Sequence, residues 1–86
     1  MTPGSISYGN RQFQILAYHD AIRHDGPALE LAELVDGELG PALVTVLFSP
    51  GSPAEAAEVL LTECTLPQPI LGVLMEAAAN EQRRLR

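Results

Sequence analysis

Between Ser5 and Tyr18 apolar and polar residues alternate around a Gly9-Asn10 dipeptide. A two-residue turn there sets Tyr8 opposite Arg11 and Ile6 opposite Phe13. Ile6, Tyr8, Arg11, Phe13 and Ile15 then share one face, and Ser7, Gln12 and Gln14 the other. That is the pattern of a half-buried antiparallel hairpin. A helix capped by Asn10, with Phe13, Leu16 and Ala17 on one side, is the competing assignment; the strict alternation favours the hairpin.

The segment Ala28 to Val35 fits two elements. Pro27 at a first helical position and Ala28, Leu31, Ala32 and Val35 at helical spacing suit a short helix ended by Gly37. Asp-Gly dipeptides on both sides, and turn marks at roughly 8–12-residue spacing, suit a strand of a meander. The strand is preferred, because a lone hairpin plus one strand leaves a sheet with little to pack on. Leu43 to Phe48 is a strand mostly apolar on both faces, Val44, Val46 and Phe48 on one and Leu43, Thr45 and Leu47 on the other, as a covered central strand requires.

The pattern changes in the last third. Ser52-Pro53-Ala54-Glu55 has the form of a capping box with proline at the first helical position. It predicts a helix over 53–64 that buries Ala57, Leu60, Leu61 and Cys64. Pro67 and Pro69 then start a second helix, over 69–84. Two apolar stripes run along it, Leu71, Leu74, Met75, Ala78 and Leu85, and Ile70, Val73 and Ala77. Together they wrap more than half of its first two turns, where a surface helix needs a stripe of roughly 100°. The surplus predicts self-association through Ile70, Val73, Leu74 and Ala77. The expected fold is α+β, a single domain over 1–86. An N-terminal antiparallel sheet of three to four strands, within 5–49, packs on two C-terminal helices, and residues 1–4 are flexible.

Composition narrows the function. The chain has 86 residues, 47% hydrophobic and 19% charged, with a formal net charge of -6 and no lysine. It is too apolar for a disordered chain, and its longest apolar run is too short for a membrane span. Eleven acids and one arginine lie between Gln12 and Gln82, which disfavours nucleic acid and anionic lipid and favours basic protein surface. The opening Met1 to Ser5 lacks the basic and apolar regions of a signal peptide, and one cysteine, Cys64, allows no internal disulfide. A cytoplasmic location is expected.

Candidate chemistry is sparse. His19-Asp20 and His24-Asp25 are the residues of a metal or acid–base site, but on a strand the two histidines point to opposite sides. Pro50-Gly51-Ser52 could present backbone N–H groups to an anion, without the spacing or lysine of a phosphate loop. Cys64, on an apolar stripe, is expected to be a small buried hydrophobe. Glu30, Glu33, Asp36 and Glu38 form the densest acidic run and are the candidate partner-binding residues. The chain is therefore expected to be a small acidic interaction module without catalysis or cofactor, binding a partner protein or itself. By analogy of size and charge, an inhibitor, immunity protein or antitoxin-like neutraliser is one form of it. The alternative is a small enzyme or ligand-binding homodimer with its site near His19, His24 and the Ser49–Ser52 loop.

Overall fold

A computed structural model describes residues 4–21, 26–48 and 57–84. Five strands, β1 (Ser5–Tyr8), β2 (Arg11–Asp20), β3 (Gly26–Val35), β4 (Glu38–Leu47) and β5 (Glu58–Leu61), precede one helix, α1 (Gln68–Arg84). The strands form one antiparallel sheet in chain order, β1-β2-β3-β4-β5.

The turns follow from the residues that make them. Gly9, with φ 61°, holds the first central position of the β1–β2 turn and pairs Tyr8 with Arg11 and Ile6 with Phe13, the pattern of a type II′ turn. Asp36 (φ 53°) and Gly37 (φ 79°) are both left-handed, the type I′ geometry that suits the twist of the β3–β4 hairpin. Residues 28–35 are strand within β3. The pairing of β3 with β4 slips between Leu31 and Leu34, opposite Gly40-Pro41 and Leu43, where proline has no N–H to give to the ladder.

The expected three to four strands within 5–49 and two C-terminal helices are corrected to five strands, the last beyond residue 49, and one helix among the described residues. Glu58–Leu61 of the expected 53–64 helix is β5, paired with Val44 to Leu47; residues 53–56 lie outside the described residues. Without β5, one side of β4 would carry a row of unpaired backbone groups through its most apolar stretch. Pairing also turns the proposed buried stripe outward. Leu60, Leu61 and Cys64 are exposed, so the cysteine is not the small buried hydrophobe expected, while Ala57 of that stripe packs against the core. Thr62 closes the pairing by donating its N–H (3.1 Å) and Oγ1 (3.0 Å) to the Leu43 carbonyl.

Helix α1 begins where the Pro67 carbonyl accepts the Ile70 N–H, at 3.0 Å. It ends with Arg83 and Arg84, which complement the negative end of its dipole. It covers one face of the sheet. Phe13, Ile15, Leu29, Leu31, Val44, Val46 and Phe48 meet Ile70 and Leu74 in a single core. The opposite face carries Leu16, Tyr18, Glu30, Thr45 and Leu47, at the positions the register sets side by side. At its centre Ala28, Ala32 and Thr45 are buried. No helix among the described residues is long and apolar enough to cross a membrane.

Candidate functional site

Strand alternation divides the acidic run. Glu30 stands opposite Leu16 and Thr45 on the face away from α1, and Glu33 stands opposite Phe13 on the helix side. Asp36 is in the turn and Glu38 is exposed at the start of β4. The four carboxylates do not form one patch.

Glu33 has a structural partner instead. Arg11 Nε donates to its Oε2 at 2.9 Å and Nη2 to its Oε1 at 2.8 Å, a bidentate fork. The guanidinium carbon of Arg11 lies 4.9 Å from the centre of the Phe13 ring, within the range of a cation–π contact. The hydrogen bonds from Arg11 hold the Glu33 carboxyl below the usual carboxylate range, and those same bonds raise the arginine. The trio caps one end of the helix-covered face.

The proposed self-association residues also separate. Ile70 and Leu74 are buried in the chain's own core, at 1% and 0% exposure. Val73 remains 41% exposed and Ala77 is half-buried. The outward surplus comprises Leu71, Val73 and Met75, each about two-fifths exposed. The buried stripe of α1 is thus rotated from the expected Leu71-Leu74-Met75-Ala78 row.

Val73 and Ala77 line a cleft of about 550 Å³ between α1 and the start of β1. Its sheet side is Ile6 and Ile15, with Gly4 and Ser5 at the strand end. On the helix, Glu76, Asn80, Glu81 and Arg84 continue from Val73 at the three- and four-residue steps that keep side chains on one face. Arg84 Nε and Nη2 donate to Glu81 Oε1 and Oε2 at 2.6 and 2.9 Å, and this pairing lowers the Glu81 carboxyl below its ordinary range. Asn80 accepts from Arg83 Nη2. Glu76 has no ion-pair partner among the described residues. The cleft therefore has an apolar floor, a polar rim with one pair already neutralised, and one carboxylate left over.

No protein-family model, curated protein or solved structure matches the chain. The site is characterised by its geometry alone.

His19 is exposed near the end of β2, opposite Pro27. His24 and the Ser49–Ser52 loop lie outside the described residues. Among the described residues, no three His, Cys, Asp or Glu side chains form a metal-binding group. The sequence reading missed the cleft. Its one legible trace was the continuation of Val73 and Ala77 into Glu76, Asn80, Glu81 and Arg84, a half-polar face beside the buried stripe.

Proposed function

We propose that the protein is a small acidic interaction module that acts without catalysis, by holding a partner protein or a second copy of itself. The observation that carries this is the cleft between β1 and α1, where half-buried Ile6, packed over the buried Ile15, meets an exposed Val73 at the border of the chain's own core. Apolar side chains left at such a border are what a binding partner covers. The net charge of -6 supports a basic partner surface, with encounter accelerated at low salt.

Crosslinking with mass-spectrometric mapping in a native lysate tests this, with wild type beside Val73→Glu. Val73 is exposed, so the variant is expected to keep the wild-type circular dichroism spectrum. Crosslinks from β1 and α1 to a protein partner or second copy, lost in the variant, are the expected result. Crosslinks that map elsewhere, or that persist in Val73→Glu, overturn the proposal.

A further inference from the structure

The edge of β1 that faces no described strand borders the cleft, and the backbone dictates how a chain would enter. Along an antiparallel pair, residues whose N–H and C=O face the partner alternate with residues whose groups face away. The Ile15 N–H donates to the Gly4 carbonyl at 3.4 Å, and the register sets Ile6 against Phe13 and Tyr8 against Arg11. Gly4, Ile6 and Tyr8 therefore direct their backbone groups at β2, while Ser5 and Ser7 direct theirs outward. Since β1 is the terminal strand of the described sheet, two N–H and two C=O groups face no strand. Ser-Ile-Ser-Tyr carries no lysine, proline or charge of the kind that keeps an edge unpaired; its four-residue length limits an added strand to the two outward-facing residues.

We infer that the cleft takes an extended segment of a partner protein, added to β1 as an antiparallel strand. One apolar side chain of the segment packs on Ile6, Ile15, Val73 and Ala77, and a basic side chain stands beside Glu76. This rests on the interaction proposal above and specifies the partner's chemistry. Register fixes the first element. Partner residues opposite Ser5 and Ser7 exchange backbone hydrogen bonds, and the residue opposite Ile6 shares its face and enters the cleft. Lining supports the second, since Ile6, Ile15, Val73 and Ala77 are the apolar walls of the cleft and its roughly 550 Å³ admits any apolar side chain. Charge fixes the third. Arg84 already answers Glu81, which leaves Glu76 and an overall charge of -6 to be met by a cation. A second copy brings the same negative charge and is the poorer occupant. The other edge of the described sheet, β5, has Val59 and Leu61 exposed on its helix-side face, and neither lines this cleft.

The test is to pan the immobilised full chain against a displayed library of random dodecapeptides, then titrate the winners into ¹⁵N-labelled protein. Enriched peptides should alternate apolar residues with arginine or lysine. Shift changes should concentrate on Ser5–Tyr8 and Val73–Arg84, and Glu76→Gln should weaken binding. N-methylation at the two peptide positions facing Ser5 and Ser7 should weaken binding about fivefold each, one backbone hydrogen bond apiece, and at the intervening positions not at all. Peptides that map to the cleft but ignore the N-methylation pattern overturn strand addition and leave the interaction proposal standing. Enrichment of acidic peptides overturns the charge assignment. No enrichment, or shifts confined to β5, overturns the cleft as a peptide site; crosslinks still lost in Val73→Glu would then keep the broader proposal alive.

Discussion

The anchoring of α1 is concentrated in two side chains, and truncating one of them should undo a large part of it. Ile70 and Leu74, one turn apart, are the buried residues of the helix. Burying a leucine or isoleucine side chain contributes about 1.5–3 kcal/mol. Leu74 is 0% exposed and sits in the cluster with Phe13, Ile15 and Leu31, so Leu74→Ala removes roughly half of this anchoring and leaves a cavity. Buried leucine-to-alanine changes cost about 2–5 kcal/mol. For a domain of this size, about 3 kcal/mol corresponds to a fall in Tm of roughly 12–24 °C. Val73→Ala is the matched control. Val73 is 41% exposed, and its truncation should shift stability by roughly 0.5 kcal/mol or less. Thermal and urea unfolding followed by circular dichroism give both numbers, and hydrogen exchange shows whether α1 opens before the sheet. A cost below about 1 kcal/mol for Leu74→Ala, or one no larger than that of Val73→Ala, would refute the reasoning that these two residues hold the helix on the sheet.

Gly72 lies within α1 with nothing inside 4 Å of where a Cβ would stand, so Gly72→Ala should raise stability by about 0.5–1 kcal/mol, read as a higher urea midpoint at unchanged slope. The Glu33 carboxyl is held low by its hydrogen bonds from Arg11, so its stabilising contribution is complete above the unfolded-state carboxylate range and is lost as pH falls through the depressed native value. Glu33→Gln should therefore lower stability most at neutral pH, where the wild-type contribution is complete, and converge with wild type at low pH, which flattens the acid limb of a pH–stability profile. Because the pair is partly exposed, the difference should shrink in high salt. An acid limb identical to wild type would remove the Arg11–Glu33 pair from the account.

What could be read from the sequence was what neighbouring residues decide among themselves. The first hairpin follows from the alternation of Ile6, Tyr8, Arg11, Phe13 and Ile15 about a glycine, and the observed pairing is the one that alternation dictates. The strand at 28–35 follows from the turn dipeptides around it, against a moderate helical propensity in Ala28 to Val35. Glu58–Leu61 obeys a different rule. Its local preference for helix amounts to a few tenths of a kcal/mol per residue, whereas pairing satisfies the backbone along Val44–Leu47 of β4; that demand comes from a strand more than ten residues away and leaves no local mark. The acidic run shows the same logic inverted. Glu30 and Glu33 are close in sequence, but an odd spacing on a strand sends them to opposite faces, so charge density along the chain did not become charge density on a surface. The cleft is less legible still, because it depends on how α1, seated through Ile70 and Leu74, lies against Gly4 to Ile6. Local pattern specifies which side chains a helix offers, and only packing specifies which of them it keeps. Of the four residues proposed for self-association, Ile70 and Leu74 were claimed by the chain's own core, and Val73 and Ala77 were left beside an open strand edge. That division sets Val73 and Ala77 next to backbone groups that can pair, while Leu71 and Met75 stay exposed outside the cleft.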